Sequence, residues 1–223
     1  MRIFCHKEKF MVQVAQFTYN PFQENTYVVY DDTRSCVIFD PGCSNTAEQE
    51  SLDSFIRTND LLPVRLINTH CHIDHILGNR YIAERFGLEL EIHQGEEAML
   101  ARGEQVAAMY GIPYPAPSPA PGRYIADLEW IAFGNTRMQA LLTPGHSPAS
   151  LCFYFPDDQL LIAGDVLFQG SIGRTDLPGG DYDTLLHSIH SRLLVLDDAV
   201  RVFPGHGPET TIGLERRSNP FLV

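Results

Sequence analysis

Three histidines and one aspartate stand within six residues of this chain: His70, His72, Asp74 and His75, in the stretch INTHCHIDHILGN from Ile67 to Asn79. Imidazole and carboxylate groups are ligands for zinc, iron or manganese. Core packing gives no reason to crowd four of them together. Their spacing suits neither regular element: a helix cannot put all four on one side, and a strand would send His75 away from the rest. They fit a loop that leaves the apolar strand VRLINT and bends into the next helix. Such a bend can aim His70 and His72 at one point, and Asp74 and His75 at a second point nearby.

A site that stopped there would lack ligands. Three further pieces each follow an apolar strand: LLTPGHS carries His146, LLIAGDVLF carries Asp165 and RVFPGHGP carries His206. Each has a glycine beside the ligand, where the backbone can turn sharply or approach closely. Seven ligand-type residues are too many for one tetrahedral ion, but two ions sharing a carboxylate would use them all. The expected wiring places His70, His72 and His146 on one ion and Asp74, His75 and His206 on the other, with Asp165 bridging. Asp74 and Asp165 are then catalytic carboxylates as well as ligands. The expected cofactor is a pair of divalent cations, zinc first, with iron or manganese as alternatives. Two such ions about 3.5–4 Å apart lower the pKa of a bound water from 15.7 to about 7, giving a nucleophile at neutral pH without a separate base.

The four pieces, in this order, resemble the recurring motifs T-H-x-H-x-D-H, T-P-G-H, G-D and P-G-H of the metallo-β-lactamase superfamily. ENTYVVYD and IFDPGC look like that family's opening strands. GSIGRTDLPGGD and FPGHGPETTIGLERRSNPFL look like its small glyoxalase II-like hydrolases, so the resemblance runs from about Phe10 to Leu222. It implies an α/β fold, the αββα four-layer sandwich, in one domain over residues 1–223, with a two-metal site along an edge between the sheets. It also implies hydrolysis of a small-molecule thioester such as S-lactoylglutathione. Full-length glyoxalase II enzymes add a helical region that helps to hold glutathione, whereas this chain ends soon after FPGHGPETTIGLER, which argues for another thiol carrier. His72 and Asp165 differ from the cysteine ligand of zinc β-lactamases, which argues against drug hydrolysis. Thioester chemistry suits the motifs, because a thiol of pKa about 8.5 leaves as thiolate with little help from an acid.

Two other readings share these residues. Persulfide dioxygenases resemble the chain around THCHIDH and GRTD, and hold a single iron at positions matching His70, His146 and Asp165; the intact His206 motif favours the hydrolase. A non-catalytic metal-binding protein would have little use for a shared pair of ions. Arg174, in GSIGRTD, either anchors a substrate carboxylate or pairs with Asp176 to order its loop. Asp40, in FDPG, either orients a ligand histidine or makes a plain turn. Cys71 is expected to point away from the ligands on either side of it. His93, His187 and His190 read as surface or packing residues, and His6 has no role.

The positioning elements follow from periodicity. MVQVAQF, TYVVYDD, CVIFD, VRLINT and ELEIH read as strands. Further strands are expected near Glu129–Phe133, Arg137–Leu142, Leu151–Phe155, Gln159–Ala163 and in VRVFP. Helices are expected over Thr46–Asn59, Ile76–Phe86, Glu96–Tyr110 and Asp181–Leu194, with a short one at the C-terminus. The proline-rich segment Ile112–Arg123 reads as an extended connection between two halves. Helices between strands favour a layered α/β domain.

The 223-residue chain is long enough for one sizeable core, and its composition is that of a soluble globular protein. A formal net charge of −12 disfavours nucleic acid and anionic membrane as partners. The start, MRIFCHKEKFMVQV, has no apolar signal region, and no run is long enough to cross a membrane. Five scattered cysteines without a C-x-x-C pair suggest reduced thiols and a cytoplasmic location. The sequence does not specify an oligomeric state.

Overall fold

The structure is a computed structural model that describes residues 11–223 except residue 115. The readings of Cys5, His6 and the missing signal region therefore fall on or begin among residues 1–10, outside the described residues. Strands β1 (Gln13–Tyr19), β2 (Glu24–Tyr30) and β3 (Ser35–Phe39) form an antiparallel meander. Helix α1 (Thr46–Thr58) then returns the chain to β4 (Leu62–Ile67), parallel to β3. Asn45 caps α1 by accepting from the Glu48 N–H, and the Glu48 carboxyl reaches back to the Ser44 N–H, so both ends of the first turn are satisfied.

Two short helices follow, α2 (Ile73–Ile76) and α3 (Asn79–Phe86), where the sequence suggests one helix from Ile76. Asp74 and His75 therefore sit on a helical turn rather than in a loop. Gly87, at φ 67°, closes α3 in the left-handed conformation, as its position predicts. After β5 (Leu90–Ile92) the expected helix over Glu96–Tyr110 is broken. A 3₁₀ turn (Gln94–Glu96) leads into α4 (Glu97–Leu100), and α5 (Gly103–Tyr110) starts after a turn at residues 101–102. Periodicity could not show the break, because glycine at 103 weakens the helix while the pattern of apolar residues runs on through it. The end of the proline-rich segment is also more regular than expected: Pro121–Tyr124 pairs with β5 as strand β6. A proline can open such an edge strand because its missing N–H faces away from the partner.

The second half builds a second sheet from β7 (Trp130–Phe133), β8 (Thr136–Leu142), β9 (Leu151–Phe155) and β10 (Leu160–Gly164). A small hairpin, β11 (Leu167–Phe168) and β12 (Ser171–Ile172), follows. Next come α6 (Tyr182–Ser188), a π turn over Ile189–Leu193, β13 (Arg201–Pro204), β14 (Thr210–Thr211) and α7 (Ile212–Ser218). The sheet orders are β1-β2-β3-β4-β5-β6 and β14-β13-β10-β9-β8-β7.

Strand alternation sorts the apolar residues into layers. Val37 and Phe39 of β3 face Phe153, Leu160 and Ile162 in the core between the sheets, while Cys36 and Ile38 pack outward against Leu52 and Ile56 of α1. On the other side, Leu161 and Ala163 of β10 pack outward against Leu185 and Ile189. The result is the αββα four-layer sandwich. Phe39 and Phe153 lie 5.0 Å apart between the sheets, and burying side chains of this kind stabilises by about 1.5–3 kcal/mol each. Among the described residues no helix is long and apolar enough to cross a membrane.

Candidate metal centre

The four sequence pieces leave the C-terminal ends of β4, β8, β10 and β13, and these ends meet along one edge of the sandwich. There the ligand atoms of His70, His72 and His146 lie within 4.8 Å of one another, and so do those of Asp74, His75 and His206. Asp165 lies between the two triads. Its Oδ1 is 3.4 Å from His75 Nε2, and its Oδ2 is 3.5 Å from both His146 Nε2 and His206 Nε2. The structure thus brings together all seven residues that the sequence singled out.

The outer face of the site sets which nitrogen looks inward. His146 Nδ1 donates to the Arg174 carbonyl at 2.8 Å, and His206 Nδ1 to the carbonyls of Phe22 and Gln23 at 3.1 and 3.2 Å. On the neutral ring each Nε2 then carries the lone pair. Yet His146 Nε2 faces His70 Nε2 at 3.2 Å and His72 Nδ1 at 2.9 Å. Three imidazole lone pairs aimed at one point repel unless a proton or a cation lies among them. Buried atoms without a hydrogen-bond partner, including His75 Nε2 and Asp165 Oδ1, add to the demand for a cation. The donor set is the nitrogen and oxygen mixture that divalent transition metals take.

The electrostatics agree. Burial and the neighbouring rings push His70 well below the ordinary histidine range, and burial with the His146 ring brings His72 down to about 3. Burial also pulls on His75, but the Asp74 and Asp165 carboxylates override it and hold the ring well above its usual value. For Asp165 burial acts upward, and the His75 and His146 rings outweigh it, so the carboxylate stays ionised.

These directions predict the acid behaviour of chelator-stripped protein. Between the ordinary value of 6.5 and about 3, the unfolded chain protonates His72 while the folded chain does not. Stability therefore falls as pH drops through that window, and His70 adds to the slope. His75 is protonated in both states below 6.5 and contributes no slope there. Glu24, whose pKa burial raises, opposes this slope equally in wild type and in His72→Asn, so the two are compared. Urea midpoints of the wild type should fall relative to those of His72→Asn as pH drops below 6.5, whereas parallel profiles would contradict the burial of the His72 ring.

Asp40 adopts the orienting role. Its Oδ2 lies 3.2 Å from His75 Nδ1 and accepts from Thr69 Oγ1 at 2.6 Å, while its Oδ1 accepts from the Thr69 N–H at 2.7 Å. Both oxygens are thus engaged by Thr69, which makes Asp40 a support for His75 rather than a ligand. Arg174 grips Asp176 through Nε and a terminal nitrogen, both at 2.7 Å, which is the loop-ordering arrangement. Cys71 is buried in the apolar cluster with Ile73 and Ile76, and it also borders the cavity over the site. His187 and His190 are exposed, and His93 caps the 3₁₀ turn by accepting from the Gly95 N–H.

Three residues that support the site escaped sequence reasoning. Glu24 is fully buried, 3.9 Å from His75 Nδ1, and burial raises its pKa well above the carboxylate range. Asn25 donates to the carbonyls of Pro204 and Gly207 and so fastens the loop that carries His206 to β2. Glu96 accepts from the Cys71 N–H, the Ser147 hydroxyl and the Ala149 N–H, which ties the His70–His72 loop to the His146 loop. A polar ENT opening an apolar strand was a usable signal for the first two; Glu96 stood among other acids and had none.

Gly205, beside His206, shows why glycine accompanies a ligand. A Cβ there would collide with Asp165 Oδ1 and approach His75 Cε1 to 2.8 Å. Gly205→Ala should leave the fold intact by circular dichroism but lower metal stoichiometry, as measured by atomic emission. Full metal content in that variant would refute the tight packing of the site.

A cavity of about 510 Å³ opens over the centre and is lined by His72, Asp74, His146, Asp165 and His206. Its other walls are largely apolar, with Phe22, Met99, Val106, Met109, Phe168 and Leu177 among them.

The sandwich, the strand-end ligand loops and a match of residues 19–206 to the metallo-beta-lactamase superfamily place this chain in that superfamily, a family of metallo-hydrolases. The chain is 37% identical over 203 residues to hydroxyacylglutathione hydrolase GloC of Haemophilus influenzae, covering 90% of this chain and 93% of that protein. Among solved structures it is similar to BLEG-1 B3 metallo-beta-lactamase (TM-score 0.86, 37% identity, 95% of this chain and 100% of that one). It is also similar to TTHA1623 in a di-iron-bound form (TM-score 0.84, 38% identity, 94% of this chain and 100% of that one).

Proposed function

We propose that this chain is a two-metal hydrolase of small thioesters. His70, His72 and His146 would hold one cation, Asp74, His75 and His206 the other, and Asp165 both. The observation that carries the reading is the position of Asp165, whose two oxygens reach rings of both triads. Zinc is the first choice of metal and iron or manganese the alternatives; TTHA1623, a relative by structure, was solved with two irons. GloC, the Haemophilus relative, hydrolyses hydroxyacylglutathione by its name, which supports the thioester class.

Two divalent cations supply a water that ionises near neutral pH and a Lewis acid for a carbonyl oxygen. The chain's own residues do the rest. The carbonyl acceptors of Arg174, Phe22 and Gln23 hold the protons of His146 and His206 on Nδ1, so that Nε2 stays free to ligate. Asp40 keeps His75 in place from behind. The apolar walls receive the acyl or thiol chain and thin out bulk water around the scissile bond. No general acid is required, because a thiolate leaves with little assistance.

The test is metal quantification beside a substrate panel: thioesters of glutathione, coenzyme A and small neutral thiols, together with glutathione persulfide and a β-lactam. The expected result is two cations per chain and hydrolysis of thioesters. One iron per chain with sulfite formed from the persulfide would replace this reading with dioxygenase chemistry. β-Lactam hydrolysis without thioester hydrolysis would replace it with the activity named for BLEG-1.

A further inference from the structure

Every arginine among the described residues but one finds an acceptor. Arg57 and Arg85 pair with Asp53, Arg65 and Arg123 with Glu91, Arg192 with Asp127, Arg201 with Glu209, and Arg216 and Arg217 with Asp198. Arg34 and Arg80 donate to carbonyls, Arg137 lies beside Asp157, and Arg174 is closed by Asp176. The two lysines, Lys7 and Lys9, fall outside the described residues. The exception is Arg102, on the turn between α4 and α5, whose exposed side chain has no partner among the described residues. In a chain with 28 acidic and 16 basic residues, a fixed cation left without a carboxylate is unusual. This one lines the cavity that holds the ligand cluster.

The surroundings narrow what it meets. Its neighbours along the cavity wall, Met99, Val106 and Met109, are apolar. The other cation of the cavity, Arg174, already has both arms of its fork on Asp176. The cavity therefore offers a set of residues that would hold cations beside a reacting carbonyl, an apolar run, and one open guanidinium with the planar fork that matches a carboxylate.

We propose that Arg102 determines substrate specificity by binding a carboxylate at the end of the thioester away from the bond that is cleaved. The inference rests on the thioesterase reading for the identity of the reacting bond, but the binding of the anion can be measured apart from turnover. The substrate class is a thioester with an apolar spacer and a terminal carboxylate.

The probes are unreactive thioethers, S-benzyl ω-mercaptoalkanoates with spacers of graded length, each paired with its neutral amide. Binding to metal-reconstituted protein is followed by calorimetry. At the best spacer length the carboxylate should bind about tenfold or more tightly than its amide, as one charged hydrogen-bond pair would give. Arg102→Gln should erase that preference with metal content and amide binding unchanged, and Arg174→Gln should keep it. No preference at any length, or a preference that survives Arg102→Gln, overturns the proposal. Thioesters with the carboxylate on the acyl side or the thiol side then show which half Arg102 holds, through an about tenfold loss of kcat/KM in Arg102→Gln with kcat little changed. If no thioester is cleaved while the thioether preference still depends on Arg102, the thioesterase reading fails and the anion site stands.

Discussion

Asp165→Ala is expected to lose at least one of two cations and thioester hydrolysis with it. The two oxygens of this carboxylate reach rings of both triads, 3.4 Å from His75 and 3.5 Å from His146 and His206. Its removal leaves each cation short of a ligand and takes away the negative charge that offsets two positive ions. The loss of several kcal/mol of transition-state stabilisation corresponds to about 1000-fold or more in rate. Asp165→Asn keeps the shape and one carbonyl oxygen but not the charge, and should fall between. Metal content by atomic emission and hydrolysis of the best thioester of the panel measure both effects, with near-ultraviolet circular dichroism as the check on folding. Full activity in Asp165→Ala would show that the two triads are not joined through this residue.

The second large effect belongs to a residue that touches no ligand atom. Glu96 is fully buried and holds two loops at once, accepting from the Cys71 N–H at 3.0 Å, the Ala149 N–H at 2.8 Å and the Ser147 hydroxyl at 2.6 Å. Glu96→Ala leaves two buried backbone donors without an acceptor, at about 1–3 kcal/mol each. It also frees the His70–His72 loop from the His146 loop, so metal affinity should fall about 10- to 100-fold, the size of effect seen when a ligand's support is removed. Glu96→Gln retains an acceptor for one loop only and should be milder on both counts. Urea unfolding and competition with a chromophoric chelator read the two quantities separately. Wild-type values for both in Glu96→Ala would mean that the loops are held by other contacts.

The contrast between Asp165 and Glu96 shows what residue order discloses. THCHIDH announces itself because four donors crowd into six positions, a density that packing does not explain. His146, Asp165 and His206 are recognisable because each follows an apolar strand and adjoins a glycine. The layers are legible for a similar reason: alternation in CVIF and LLIA places one set of side chains between the sheets and the other against helices. Helix continuity was less legible. The break at residues 101–102 and the early start of α2 depend on how the chain packs against its neighbours, and periodicity carries no term for that.

Glu24, Asn25, Glu96 and Arg102 belong to another category. Glu96 meets partners 25 and 53 residues away, and Asn25 meets the loop of His206 from 179 and 182 residues away. Arg102 differs from the other described arginines in what it fails to meet. Residue types and local spacing specified the inventory of metal donors, the strands that end beside them and the family they resemble, because those properties are local in the chain. Folding supplied the pairing of the two triads through Asp165, the inward tautomers, the brace at Glu96 and the open cation at Arg102. Those are relations between distant segments, and they come into being only when the two sheets pack and their strand ends converge on one edge.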